Sequence, residues 1–224
     1  MNKTVGFVVL SMLLTGCSEL SEDDRVKREQ NFIKVTADGS VYSGSGNYEE
    51  DPWDCVYDKS TGLHWEVKGN SPGLRSAENT YTWYDPDVRK NFIGTPNGGS
   101  CTVGNCDSSS YVAEVNKNGI CGLKNWHLPE NVEMGSIVFI SRDRNIDPIF
   151  RNFFPNTKSA DYWTSSTYTF QGSSAWAWDF NLGYDHVDWQ KHPKHIRLVS
   201  GKVDDEYILE KKNELFGEKP ERRE

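Results

Sequence analysis

Apolar positions in this chain come in short groups, and their spacing separates two helices from a series of strands. Between Asp107 and Gly119, Tyr111, Val112 and Val115 recur at three- to four-residue intervals, the apolar stripe of a helix. Asp107 or Ser108 caps its start, and Asn118-Gly119 ends it, because glycine accepts the left-handed conformation at a helix end. Trp126-His127-Leu128-Pro129 then runs extended, since a residue before proline is pushed out of the helical region. Val132, Met134, Ile137, Val138 and Ile140 give a second helix its apolar side. Glu133 stands where a capping-box glutamate would, but Glu130 or Asn131 holds the cap position in place of Ser or Thr, which weakens that start.

Period-two patterning marks the strands. Val56-Tyr57 and the alternating Leu63-His64-Trp65-Glu66-Val67 flank the turn Asp58-Lys59-Ser60-Thr61-Gly62, which predicts a hairpin. Three later runs read as strands: Tyr162 to Ser166, Ala175 to Phe180 and His195 to Val199, with Gly183-Tyr184-Asp185 turning into a further short strand, Val187 to Trp189. Gly69 to Ser100 is rich in Asn, Gly, Pro and Asp and reads as a long loop that carries Tyr81-Thr82-Trp83-Tyr84. Two helices with a late antiparallel meander define an α+β fold. The region from Pro52 to Gly201 has the length of one domain with its own core.

The flanks read differently. Lys3, the apolar run Val5 to Leu14 and Leu14-Thr15-Gly16-Cys17 have the layout of a secretory signal, and the apolar run is too short to span a bilayer. The last four residues resemble a bacterial lipobox. Residues 1–16 are therefore expected to be removed and Cys17 to be lipidated, with several acyl chains giving firm anchoring where one would be marginal. Ser18, and not aspartate, follows the cysteine, which resembles the Gram-negative pattern sent to the outer membrane, on its periplasmic or cell-surface side. Residues 17–51 mix both charges with Gly and Ser and read as a flexible tether, with Ile33-Lys34-Val35 and Val41-Tyr42 available for one edge strand. Residues 202–224 form a charged tail in which Tyr207, Ile208, Leu209, Leu215 and Phe216 allow one helix, either solvated and fraying or docked on a partner.

An exported chain with Cys55, Cys101, Cys106 and Cys121 reads as a disulfide framework. The pairing favoured is Cys106–Cys121, bracketing one helix, with Cys55–Cys101; Cys101–Cys106 is possible but closes a small loop. Zinc is a poor alternative, because no Cys-x-x-Cys pair is present and the histidines lie far away.

Several stretches together resemble one family. They are Asp58-x-x-Thr61-Gly62-Leu63-x-Trp65, Asn97-Gly98-Gly99-x-Cys101, Cys106-Asp107 with Tyr111-Val112 and Val115-Asn116, and Cys121-Gly122-x-x-x-Trp126-x-Leu128-Pro129. Ile146-Asp147-Pro148 with Phe154-Pro155-Asn156, Tyr162 to Ser166, and Ala175-Trp176 with Arg197-Leu198-Val199 continue the series. In this order they resemble the DUF1566 family, named also after the C-terminal domain of the Legionella collagen-like adhesin, over roughly residues 53 to 201. The resemblance implies a C-type-lectin-like fold similar to the formylglycine-generating-enzyme branch, in surface or envelope proteins of which some bind glycans. His127 and Glu130 stand where the family usually has arginine and threonine.

Candidate chemistry is sparse. His186, Asp188, His192 and His195 fall close together but lack a tight ligand pattern, so no metal is expected there. Asp143-x-Asn145-x-Asp147 lacks the glycine and distal glutamate of a calcium loop, and the sugar-binding triplets of calcium-dependent lectins are absent. No nucleophile, zinc-protease or phosphate-loop motif occurs, so neither an enzyme nor a cofactor is expected. A net charge of −8 argues against nucleic acid and weakens the case for sulfated glycans unless Arg142, Arg144, Arg151, Lys191, Lys194 and Arg197 gather into a patch. Aromatics in the late loops, Tyr168, Phe170, Tyr184 and Trp189, with His186 and Asp188 beside them, suit a glycan or a protein ligand. Trp126, Trp163 and Trp176 are expected in the core. The expected function is an envelope lipoprotein displaying a binding module; the alternative is a structural or assembly partner in an envelope complex.

Overall fold

Asp58 sets the first turn. Its carboxylate accepts the N–H of Ser60 (2.9 Å) and the hydroxyls of Ser60 and Thr61, and Gly62 takes φ +75°. β2 (Cys55–Asp58) thus folds back on β3 (Leu63–Glu66), pairing Cys55 with Glu66 and Val56 with Trp65, the hairpin that the alternation predicts. The computed structural model describes residues 21–87, 93–141, 143–204 and 206–207. In it the hairpin is extended on one side by β1 (Phe32–Val35) and on the other by β8 (Val199–Ser200) and β4 (Trp126–His127), giving a five-stranded sheet in the order β1-β2-β3-β8-β4. A second sheet consists of β5 (Asp161–Thr167), β6 (Ser174–Asp179) and β7 (Tyr184–Trp189) as an antiparallel meander. With three helices this is a mixed fold of helix and antiparallel sheet. None of the helices described is long and apolar enough to cross a membrane.

α2 (Ser108–Asn118) matches its sequence pattern closely. Asp107 caps it by accepting the Ser110 N–H at 2.8 Å, Tyr111 and Val115 are buried, and Gly119 closes it at φ +80°. The second helix is shorter than its pattern suggests. α3 covers only Asn131–Gly135, with the Glu130 N–H donated to Glu133 at 2.7 Å. Ile137, Val138 and Phe139 follow it fully buried, and Val138 bridges to Ile149 in antiparallel fashion. Three consecutive buried positions suit a strand enclosed on both faces better than a helix with one apolar side. Ile140, expected on that apolar side, is exposed.

The segment read as a tether is ordered from Ser21 onward. Ser21 and Asp24 form a reciprocal cap on α1 (Glu22–Glu29), a helix with no buried residue. Its arginines hold it in place: Arg25 donates to the carbonyls of Asp147 and Ile149, and Arg28 to those of Ser136 and Val138. Both guanidinium groups also lie over the rings of Phe139 and Phe150. β1 follows and packs Phe32 against Phe150, Phe153 and Phe154. Composition failed here because arginines satisfy backbone carbonyls that no average hydrophobicity registers. The segment read as a signal peptide, Cys17 and most of the C-terminal tail lie outside the described residues.

The disulfides join Cys55 to Cys121 and Cys101 to Cys106, which corrects the pairing expected from the sequence. Helix geometry gives the reason. Eleven residues at about 1.5 Å each put the ends of α2 roughly 16 Å apart, while bridged cysteines need Cα atoms within about 7 Å. Cys106 stays at the start of the helix, where its N–H donates to Asn97 Oδ1 and its carbonyl accepts the Gly99 N–H, so the turn back to Cys101 is short. Cys121 sits in a tight turn at φ +53°, held by the paired Ile120 and Leu123, and backs onto the loop after β1 beside Cys55. Two groups of buried side chains fill the fold. One lies around Trp65, Phe150 and Phe154, and the other around Tyr81, Trp126 and Trp163 next to the Cys55–Cys121 bond.

Candidate functional site

The register of the β5-β6-β7 meander decides which of the suggested ligand residues share a surface. His186 pairs with Ala177, Asp188 with Ala175 and Tyr184 with Asp179; Trp163 also pairs with Ala177. Side chains alternate across a strand, so Tyr184, His186 and Asp188 fall on the face of Asp161 and Trp163. Val187 pairs with Trp176 and Asp185 with Trp178. That other face carries Trp176 and Trp178, and strand alternation assigns Trp189 to it. The six residues singled out in the sequence therefore belong to two surfaces.

The first surface is a closed ionic cluster. Asp161, His186 and Asp188 bring their donor atoms within 4.8 Å of one another, a grouping compatible with a metal ion. The Lys194 ammonium already stands between the two carboxylates, 2.6 Å from Asp161 Oδ2 and 2.7 Å from Asp188 Oδ2. Lys194 is only 6% exposed and lies 5.1 Å from the Trp163 ring, so a divalent ion would have to displace a packed internal cation. His186 adds a contact to Asp161 at 3.3 Å, and His192 one to Asp188 at 2.9 Å. Partial burial works against the Asp188 carboxylate, yet Lys194, the Trp189 N–H and His192 hold its pKa at about 2. His195, grouped with these residues in the sequence, lies elsewhere, contacting the Asn79 carbonyl through Nδ1 at 3.0 Å with its ring against Tyr162. Sequence spacing missed Asp161 because β5 reaches the cluster from outside the short window of histidines, while Lys194, inside that window, suggested only a basic patch.

The second surface is aromatic. Trp178 is covered by α3, where its indole N–H donates to the Asn131 carbonyl at 3.2 Å and its ring faces Gly135. Trp176 is only partly buried, a correction to its expected place in the core, and Tyr168 meets it edge-on with centroids 5.8 Å apart. Phe170 packs on Tyr168 at 5.6 Å and is otherwise 89% exposed. Trp189 is 43% exposed at the same end of the sheet. Gln190, next to Trp189 in the chain, is buried, and its amide donates to the Ser174 carbonyl.

The other sequence candidates disperse. Arg197 is buried, with its guanidinium on the Glu66 carbonyl and the Thr157 hydroxyl. Arg151 is held by Asp147 and the Thr157 carbonyl, and Lys194 by its two aspartates. The possible basic patch is therefore not assembled from them; Arg142 lies outside the described residues. Asp143 and Asn145 close a local turn, while Asp147 accepts the Ile149 N–H and pairs with Arg151, so that trio does not converge on one point. The four cysteines described are all in disulfides, leaving no thiol among them. A hollow of about 440 Å³ opens beside the long loop, lined by Tyr48, Asp54, Gly69 and Arg75 among others; Arg75 is occupied there by Asp54 at 2.7 Å and the Val67 carbonyl at 2.8 Å.

A family model described as the Lcl C-terminal domain matches residues 54–200, well over half of the chain and every strand after β1. No curated protein and no solved structure matches it.

Proposed function

Since the chain belongs to the Lcl C-terminal domain family, we propose that it is a non-enzymatic binding module of C-type-lectin-like fold, carried on an outer-membrane lipoprotein. The observation that supports this reading most is the uncovered aromatic end of the second sheet. Phe170, Tyr168, Trp176 and Trp189 present ring surface to solvent, although the same chain buries Trp65, Trp126 and Trp163 completely or nearly so. Exposed rings of this kind stack on the apolar face of a sugar or anchor a protein partner. The histidines and carboxylates nearby are engaged with each other and with Lys194, which supports binding over catalysis.

Ligand-blot or array binding with the lipid-free protein tests the reading. Phe170→Ala and Trp189→Ala are expected to lose the ligand with an unchanged melting temperature. If both bind as the parent does, the face is wrong and the hollow at Arg75 becomes the site to probe. A protein that whole-cell protease leaves intact and that captures only envelope components would support an assembly role instead.

A further inference from the structure

The docking of α1 has a consequence for how the domain stands on a membrane. Only four peptide links separate Cys17 from Ser21, the cap of α1. Fully extended, four residues reach about 14 Å at most. We infer that, if Cys17 is lipidated as in the reading above, this domain is seated directly on the bilayer with one fixed side down, and is not free on a long tether. The occupant of that side is the headgroup surface of the bilayer holding the anchor.

The side follows from the contacts of α1. Arg25, four residues past the cap, is fixed to the carbonyls of Asp147 and Ile149. Gly183, in the turn between β6 and β7, lies against Pro148 and the Phe139 carbonyl. The start of α1, the segment around Ile140 and the β6-β7 turn are therefore neighbours. Three exposed aliphatic side chains belong to these elements: Val26 at 49%, Ile140 at 52% and Leu182 at 43%. Glu22, Asp23 and Asp24 make the first turn of α1, nearest the anchor, acidic, so the anchor and the aliphatic contacts would hold this side, more than attraction to anionic lipid. At the opposite end of β6, six residues or roughly 20 Å away, stand Ser174 and its partner Trp189. Seating the β6-β7 turn at the bilayer turns Trp189, Tyr168 and Phe170 outward, while Tyr184 sits at the membrane end.

Hydroxyl-radical footprinting of the lipidated full chain in phosphatidylethanolamine–phosphatidylglycerol vesicles, against the soluble Cys17→Ser variant, tests this. Palmitate incorporation is scored in parallel. Oxidation of Ile140 and Leu182 is expected to fall several-fold on anchoring, with Phe170 unchanged. A spacer of about 20 Gly/Ser residues inserted before Ser21 leaves α1 docked and is expected to restore oxidation of both side chains. Arg25→Ala with Arg28→Ala should do the same by freeing the helix, with disulfide mapping as the check on folding. Lipidated protein whose Ile140 and Leu182 react as in Cys17→Ser overturns the seating, as does protection of Phe170 or protection that survives the spacer. Absence of palmitate on Cys17 defeats the anchor reading, and the seating with it, and is told apart from the other failures by that measurement alone.

Discussion

Lys68→Met tests the least conventional part of the interior. Glu66 is completely buried and Lys68 is 2% exposed. The Glu66 carboxylate accepts the Lys68 ammonium at 3.0 Å, the Tyr111 hydroxyl, and the Leu198 N–H at 3.0 Å. Burial drives the Lys68 pKa down to about 8 even with Glu66 beside it, because Arg197 and Arg75 add positive charge nearby. Burial also opposes ionisation of Glu66, but Lys68, Arg75 and its hydrogen bonds keep that carboxyl below its ordinary range. At neutral pH the two are therefore an ion pair. Removing one member of a buried pair typically costs about 3–5 kcal/mol, since the other charge remains. Two donors and Arg75 still serve Glu66 here, which puts Lys68→Met at the lower end, about 3 kcal/mol, or a melting point lower by roughly 6–12 °C. Urea unfolding with the disulfides intact measures it. In the variant Glu66 loses its principal counter-charge, so its folded pKa should rise above the unfolded value. A raised pKa means the folded state keeps the proton longer, so the variant gains stability relative to the parent as the pH is lowered toward 4. Adding Glu66→Gln should cost less than the sum of the single changes. A loss under about 1 kcal/mol, or a gap between variant and parent that ignores pH, would refute the argument.

Three further outcomes follow from the geometry. Non-reducing peptide mapping should recover Cys55–Cys121 and Cys101–Cys106; in the chain-entropy picture, removing the first, which spans 66 residues, costs about 4 kcal/mol and the second, spanning 5, about 2. Trp126→Ala should cost about 3–5 kcal/mol by denaturant titration, because the ring is 2% exposed and its indole N–H donates to the Leu123 carbonyl at 3.2 Å. Asp188 titrates at about 2 when folded against 3.8 as its ordinary value, so its contribution is complete above pH 4 and is lost as the pH falls through 2. Asp188→Asn should accordingly flatten the acid limb of the stability profile, and an unchanged limb would show that the pairing with Lys194 contributes nothing.

Local signals were legible where one segment determines its own shape. The Asp58 turn, the Asp107 cap, the Gly119 stop and the meander through Tyr184 all appear in the structure because a few neighbouring residues satisfy the backbone there. The signals that failed are those that depend on distant partners. Nothing near Arg25 or Arg28 reveals that carbonyls more than a hundred residues away will accept their hydrogen bonds. Without those contacts a polar stretch reads as a tether. The cysteine pairing failed likewise. Bracketing a helix looks local, but the rise of the helix separates its ends, and the partner of Cys121 is set by how β1 and β2 meet the loop after α2.

The candidate site shows the same division at finer grain. Alternation along Ala175 to Phe180 was read correctly, yet it cannot say how far α3 extends over the face it defines. α3 covers Trp178, whereas Trp176, two residues earlier on the same face, is left partly open. Trp176 gives Tyr168 a ring to pack on, and Phe170 packs on Tyr168 in turn. The helix begins beside this open end, where the Asn131 N–H donates to the Ser166 hydroxyl at 2.9 Å, and the chain runs from there toward the β6-β7 turn, where Val138 and Phe139 meet Gly183. Ser136 gives its carbonyl to Arg28, so the residue that ends α3 is tied to the helix that would seat the domain on its membrane.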